Sequence, residues 1–358
     1  MTVLHDWGWD EVWAARAAEC ALERGTPARV TGQERDRWEV QTEAGPGVAR
    51  LASALRLASL PAVGDWILVE PGPMPVDPWS VAAVLPRRSS FTRGSAGDGS
   101  AAQVLAANVD VAWIVHGLDM PLNPRRLERY LAVAWESGAV PEVVLTKADL
   151  APDAAKAVVE ARALAVGVRV ATVSSEDDDS VAALREGLRP GSTVALLGPS
   201  GVGKSTLVNL LARDAQARTA PVREKDRKGR HTTTRRQLFR LPGGALLLDT
   251  PGIRELRVWA LDEGLGLAFP EIEELARSCR FADCRHAEEP GCAVLAAEAD
   301  GRLRAERLAS FRKLQAEAAY QARKSDPRAE RAALSTFKSA MKTMRFHHKY
   351  QDPGKGST

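Results

Sequence analysis

Thr146-Lys147-Ala148-Asp149 comes first, Gly198-Pro199-Ser200-Gly201-Val202-Gly203-Lys204-Ser205 second, and Asp249-Thr250-Pro251-Gly252 last. The middle stretch has the spacing of a phosphate-binding loop. It lies between a β-branched, leucine-rich run ending at Leu197 and an apolar helical pattern over Ser205–Leu211, the context that a strand–loop–helix phosphate cradle requires. Glycines let successive backbone N–H groups converge on phosphate, and the helix N-terminus adds its positive dipole end. Lys204 is expected on the β- and γ-phosphates and the Ser205 hydroxyl on Mg²⁺, with Thr206 beside it. Asp249, at the end of the apolar run Ala245–Leu248, suits the metal side of the same site, and the Gly252 amide suits the γ-phosphate.

The first stretch also ends a strand pattern, Val140–Leu145, and ligands gather at the carboxyl ends of strands in open α/β sheets. A carboxylate at Asp149 can accept from guanine N1 and the exocyclic amine, a pair of donors adenine lacks, while the Lys147 stem covers the base. Thr146 stands where such tetrads usually carry Asn, a departure expected to weaken base affinity. Ser174-Ser175-Glu176, ending the next strand pattern, is expected at the O6 edge of the base. Ordinary small GTPases carry the phosphate loop first and the base reader last. The rotated order points to a circularly permuted GTPase domain binding GTP and GDP.

Between the phosphate loop and Asp249 runs Lys228-Gly229-Arg230-His231-Thr232-Thr233-Thr234. A hydroxyl here, Thr233 or Thr234, is expected to complete the Mg²⁺ shell in the GTP state and to be released with the γ-phosphate. The same three threonines also suit the start of a β-strand. After Asp-Thr-Pro-Gly many GTPases place a Gln that orients the attacking water. Here Ile253 occupies that position, so intrinsic hydrolysis is expected to be slow, with His231 the candidate to position water. His231 serves equally well as a contact to an RNA phosphate. Lys204, His231 and Thr234 make up the catalytic expectation.

A second constellation is Cys279-x4-Cys284-x-His286-x5-Cys292. Three thiolates and one imidazole suit tetrahedral Zn²⁺ with no open position, hence a structural ion. Arg277, Arg280 and Arg285 are expected to favour the thiolates, and the segment has too little core to fold alone without metal. Three of the chain's four cysteines lie here, so a disulfide framework is not indicated. Cys20 reads as a packing residue.

The 358 residues carry 45% hydrophobic and 27% charged side chains, the balance of an ordinary globular chain. Neither a membrane-spanning run nor a secretory leader is legible, so a cytoplasmic protein with no membrane partner is expected; a monomer is expected as well. The net charge of +3 is unevenly spread. Residues 302–358 hold fourteen Lys/Arg against five Asp/Glu, and residues 222–240 hold eight against two. Segregated positive charge favours a polyanionic partner such as RNA over a merely solvated surface.

Upstream of these motifs, short strand patterns over Ala28–Thr31, Trp38–Thr42, Val48–Leu51, Asp65–Val69 and Ser80–Val84 are broken by turn residues, as in a small oligonucleotide-binding barrel or another small β-fold. Past the Gly/Ser-rich stretch 94–100, strand and helix patterns alternate, the signature of a parallel sheet covered by helices. The expected organisation is a helical N-terminal extension over 1–25, an all-β oligonucleotide-binding barrel over 26–92, and a circularly permuted α/β GTPase core over 93–258. An α-helical zinc-binding domain over 259–325 and a basic, partly disordered tail over 326–358 complete it.

The permuted order resembles the RsgA (YjeQ) family of bacterial ribosome-small-subunit-dependent GTPases. So do the phosphate loop ending Lys204-Ser205-Thr206, Gly229-Arg230-His231-Thr232-Thr233-Thr234 and Asp249-Thr250-Pro251-Gly252-Ile253-Arg254-Glu255-Leu256. Pro61-Ala62-Val63-Gly64-Asp65-Trp66 and the cysteine cluster match as well, so the likeness covers about residues 25–320. The resemblance implies a barrel, a permuted core and a zinc domain acting on the nearly mature small (30S) ribosomal subunit and its 16S rRNA, with GTP hydrolysis stimulated by the subunit. Two rivals are an RNA-binding scaffold with a vestigial nucleotide site and a P-loop kinase or ATPase. The intact Lys204, Ser205 and Asp249 speak against the first, and Asp149 with the basic segments against the second.

Overall fold

The computed structural model describes residues 2–20, 22, 25–51, 59–72, 77–93, 103–212, 236–249, 261 and 263–325. Five strands form the N-terminal barrel: β1 (Thr26–Glu34), β2 (Arg37–Thr42), β3 (Gly45–Leu51), β4 (Trp66–Glu70) and β5 (Trp79–Val84). They run in the order β1-β2-β3-β5-β4, and a β4–β1 pairing closes the ring, with β3 and β5 parallel and the other pairs antiparallel. Closure removes the free edges that a small sheet would otherwise expose. Ala28, Val30, Trp38, Val40, Ile67 and Val69 fill its interior. The alternate residues of β4, Trp66 and Leu68, point to a second cluster with Leu4, Trp13 and Leu85. That cluster holds the N-terminal segment, a 3-10 turn over Val3–Trp7 and α1 (Glu11–Glu19), against the outside of the barrel.

A hairpin of β6 (Ser90–Arg93) and β7 (Gln103–Ala107), not legible in the sequence, leads into the core. There β8 (Val111–Gly117), α2 (Pro124–Glu136), β9 (Val140–Thr146), α3 (Ala154–Leu164), β10 (Arg169–Thr172), α4 (Asp178–Glu186), β11 (Thr193–Leu197) and α5 (Lys204–Ala212) alternate. β12 (Arg236–Arg240) and β13 (Leu246–Asp249) follow. The strand order is β10-β9-β8-β11-β13-β12, parallel except for β12. Strand residues are buried on both faces, as a helix-covered parallel sheet requires. Trp113, Val115, Val194 and Leu247 face α4 and α5, while Ala112, Ile114, Leu197 and Leu248 face the opposite side. The start of α2 is capped by the Asn123 side chain, which accepts from Arg126 N, with Pro124 in the first turn.

Barrel and core form one continuous sheet. β12 pairs antiparallel with β1, matching Gly32 to Gln237 and Gln33 to Arg236. The Pro61–Trp66 phrase makes the second joint. Ala107 N donates to Val63 O at 3.0 Å and the Asn108 amide donates to Gly64 O at 3.0 Å. Gly64 has φ +92°, and a Cβ there would lie 2.1 Å from Ala107 O, so only glycine fits. Asp65, fully buried, accepts two bonds from Arg87 at 2.8 and 2.7 Å and one from Ala62 N at 2.8 Å.

The C-terminal helices α6 (Glu263–Ala268), α7 (Pro270–Ala276), α8 (Ala293–Ala299) and α9 (Ala305–Ser325) pack onto the α2 side of the sheet. Leu265, Phe269, Ile272, Val294, Leu308 and Phe311 share one apolar cluster with Leu127, Leu131 and Ile114. The sequence suggests a segment dependent on metal for its core; the structure gives it a core borrowed from the nucleotide domain. A buried ion pair crosses the seam. Arg307 Nη1 donates to Glu128 Oε1 at 2.8 Å, Arg307 Nη2 donates to Ala268 O at 2.8 Å, and Arg307 Nε also bonds Glu271. Ser310 donates to the other Glu128 oxygen, and the guanidinium stacks on Phe269 at 4.2 Å. Among the described residues, no helix is long and apolar enough to cross a membrane.

Glu128 is 2% exposed and Arg307 8%. Removing one partner of such a pair strands a buried charge. Arg307→Met is therefore expected to destabilise the protein by about 3–5 kcal/mol in denaturant unfolding, with the Arg307→Met/Glu128→Gln double variant recovering part of that loss.

Candidate functional site

The carboxyl edge of the parallel sheet brings the sequence motifs together. β8 ends at Gly117, β9 at Thr146, β10 just before Ser174, β11 just before Gly198 and β13 at Asp249. The phosphate loop rises from β11 with Gly198 at φ +141°, and a Cβ there would meet Val115 O at 2.5 Å. Gly201 and Gly203 also have positive φ. Lys204 is buried, and its ammonium donates to Gly198 O at 2.7 Å and to Pro199 O, so the charge is held over the mouth of the loop. Ser205 and Thr206, in the first turn of α5, are exposed, as are Ser200 and Gly201.

The Thr146–Asp149 tetrad is bonded directly to this loop. The Thr146 hydroxyl lies 2.6 Å from Val202 O and 3.2 Å from His116 O. A hydroxyl has one proton, and the shorter contact marks Val202 O as its acceptor. The departure from Asn thus keeps a tether between tetrad and phosphate loop. Lys147 has left-handed backbone geometry, φ +57°, and its ammonium donates to Gly201 O at 2.9 Å and Asp119 Oδ2 at 2.6 Å. The Lys147 hydrogen bond holds the Asp119 carboxyl below its ordinary range. Asp119 escaped the sequence reading; its only signal is that it follows the apolar run through Gly117-Leu118.

Asp149 is exposed, and its Oδ1 accepts from the Ser174 hydroxyl at 2.6 Å. Ser174 Oγ in turn accepts from Glu176 N at 3.1 Å, and the Ser180 hydroxyl accepts from Ser174 N at 3.2 Å. Ser175 and Glu176 are exposed. Asp249, half-buried at the end of β13, faces Gln237 of β12 in register. His231, Thr233, Thr234, Gly252 and Ile253 lie outside the described residues.

The second constellation converges on a point. The ligand atoms of Cys279, Cys284, His286 and Cys292 all lie within 4.8 Å of one another. Cys279 Sγ is 3.6 Å from His286 Nδ1 and 3.8 Å from Cys292 Sγ, and His286 Nδ1 is 3.4 Å from Cys292 Sγ. A tetrahedral ion with sulfur arms of about 2.3 Å sets its ligands about 3.8 Å apart, so these residues fit a zinc ion. The left-handed backbone at His286, φ +57°, turns its ring toward the sulfurs. Desolvation lowers the His286 pKa, which favours the neutral imidazole a metal needs. Desolvation also raises Cys279, but the Ala293 and Val294 amides at the start of α8 outweigh it and bring that thiol below its ordinary value. Cys284, desolvated and beside two other sulfurs, is pushed up to about 11, the penalty a bound cation would relieve. Two of the three arginines expected to do this are engaged elsewhere: Arg277 pairs with Glu274 and Arg280 stacks on Phe281.

The sequence profile of the RsgA GTPase family matches residues 84–259. The small ribosomal subunit biogenesis GTPase RsgA of Opitutus terrae is 47% identical over 344 residues, covering 92% of this chain and 94% of that protein. The protein of the same name from Streptomyces coelicolor is 44% identical, covering 94% and 92%. Two solved structures share the fold. YjeQ from Thermotoga maritima aligns with a TM-score of 0.61 at 24% identity, covering 82% of this chain and 98% of that one. YloQ, described as a circularly permuted GTPase, aligns at 0.60 and 22% identity, covering 84% and 96%.

Two substitutions test the sites. Asp149→Asn should weaken GTP by about 1.5–3 kcal/mol, the worth of a charged hydrogen bond, and shift preference toward xanthosine triphosphate; a fluorescent-nucleotide titration reads both. Cys284→Ala should remove about one zinc per chain in metal analysis and raise hydrogen exchange over 279–292. Helices α6 and α9, seated on α2, should stay protected.

Proposed function

The chain belongs to the RsgA family of GTPases, and from that premise we propose that it hydrolyses GTP while acting in late maturation of the small (30S) ribosomal subunit. The observation that carries this reading is the direct bonding of the base tetrad to the phosphate loop through Thr146 and Lys147. A vestigial site would have no reason to keep a buried Lys204 and a serine-oriented Asp149 together. The curated relatives carry small-subunit biogenesis in their names, and the partner proposed here is that subunit and its 16S rRNA.

In this proposal the loop 198–203 wraps the phosphates with backbone N–H groups, and Lys204 neutralises the charge that develops between the β- and γ-phosphates. Asp149 reads the guanine edge, Ser174 aims Asp149, and Ser175 and Glu176 border the base. Ser205, Asp249 and a hydroxyl from Thr233 or Thr234 hold Mg²⁺, which supplies positive charge to the γ-phosphate oxygens when bound. His231 accepts a hydrogen bond from the water whose oxygen attacks the γ-phosphorus, releasing inorganic phosphate and GDP. The roles of His231, Thr233, Thr234 and Gly252 rest on their place in the sequence. Residues 26–92 act as the RNA-binding barrel, 93–258 as the GTPase, 259–325 as a domain stabilised by one structural zinc, and 326–358 as a basic tail. The protein works as a cytoplasmic monomer.

The deciding experiment compares GTP and ATP turnover with and without purified small subunits. Slow intrinsic GTP hydrolysis, accelerated by the subunit and absent with ATP, is expected; turnover indifferent to the subunit would refute the assignment. His231→Ala at saturating subunit should lower turnover and leave binding unchanged, whereas a loss of binding alone would assign His231 to RNA. Because positive charge is concentrated in 222–240 and 302–358, subunit affinity should fall steeply with salt, and deleting 326–358 should reduce both affinity and salt slope.

A further inference from the structure

A cavity of about 210 Å³ lies where the N-terminal segment, the barrel and the nucleotide core meet. Trp9, Trp13, Arg29, Arg88, Arg189 and Ser192 are among its walls. It opens at the amino-terminal ends of β8 and β11, beside Asp110 and Gly191. The nucleotide motifs occupy the opposite edge of the sheet, roughly 20 Å away by the rise of a seven-residue strand. The cavity is therefore separate from the site described above.

Its wall contains an incompletely satisfied cation. Arg29 is 2% exposed, and its Nη2 donates to Thr193 Oγ1 at 2.9 Å and Asn108 O at 3.3 Å. Among the described residues, Nε has no hydrogen-bond partner and no carboxylate bonds the guanidinium. Its face lies 5.0 Å from the centroid of the Trp66 ring, whose Nε1 is a second buried donor without a partner. The carboxylates nearby are already engaged. Asp10 accepts two bonds from Arg88, at 2.8 and 2.6 Å, and one from Trp13 N; Asp110 accepts from Thr193 N at 2.7 Å. Arg88 is fixed over the Trp13 ring at 4.5 Å, and Arg189 stands exposed at the rim.

A buried guanidinium with no carboxylate bonded to it and a rim arginine, both lining one cavity, call for a guest rich in acceptors and negative in charge. We propose that this cavity is a binding site for a phosphate group, held between Arg29 and Arg189 and closed over by the N-terminal segment. The volume takes one phosphate. The guest is either free phosphate or one phosphodiester of an RNA strand. Occupancy ties the N-terminal segment, barrel strand β1 and the β11 end of the core together at one point.

The test uses the full chain with its nucleotide site saturated by GDP and Mg²⁺. Inorganic phosphate is titrated against potassium chloride at equal ionic strength, and a mixed-sequence RNA decamer is titrated in parallel. Tryptophan fluorescence and melting temperature are read in each arm, since a ligand of the native state raises the latter. Saturable change with phosphate is expected, weakened at least tenfold in Arg189→Ala and lost in Arg29→Met. Saturation only with RNA, with the same dependence on both arginines, identifies the guest as a phosphodiester and supports the site equally. Responses no larger than those to chloride in both arms, or retained in Arg189→Ala, overturn it. Arg189 is exposed, so that variant decides the matter even if Arg29→Met fails to fold.

Discussion

The hydrogen bond from the Thr146 hydroxyl to Val202 O at 2.6 Å ties the Thr146–Asp149 tetrad to the phosphate loop. The bond is buried and spans residues 56 apart in sequence. Tetrad and phosphate loop lie on different strand ends, so side-chain bonds and strand pairing must hold them together. Thr146 fixes the two strand ends, and Lys147 adds a bridge to Gly201 that Asp119 steadies. The Ser174 hydroxyl then fixes the Asp149 carboxylate in one orientation.

The same sheet carries mechanical continuity away from the site. β12, which follows the Lys228–Thr234 stretch in sequence, is bonded on one side to β13 and Asp249 and on the other to barrel strand β1. A displacement of β12 would therefore be felt by the barrel through backbone hydrogen bonds rather than through a linker. On the opposite face, α2 lies beneath the C-terminal helices, and the Arg307–Glu128 pair makes that seam specific. Permutation accounts for this geometry: β13 runs onward in sequence toward α6, and α6 lands on α2 of the same core.

Much of this was legible in the sequence. Spacing alone placed the phosphate loop, the tetrad and the cysteine cluster, because each chemistry demands particular residue types at particular intervals. The five barrel strands and the alternating core followed from apolar runs broken by turn residues. The β6–β7 hairpin was not legible, because its short strands flank the Gly/Ser-rich stretch 94–100 and carry no period of their own. Asp119 was invisible because an exposed carboxylate acquires meaning only from what it touches.

What the sequence by itself determined is the set of local chemistries: which residues can cradle phosphate, read guanine or bind a soft metal, and in what order the chain presents them. Tertiary structure alone decided how those pieces share support. Thr146 reads in sequence as a weakened Asn and in space as a tether, because its partner Val202 is brought beside it by the parallel sheet. No local pattern singles out Glu128 or Arg307, and only the docking of α9 on α2 buries them as a pair. No local pattern singles out Arg29 either, and the tertiary structure places it buried at a cavity wall beside the N-terminal segment. The physical reason is common to all three. Burial and partnership are properties of distances between residues far apart in the chain, and no local pattern records those distances.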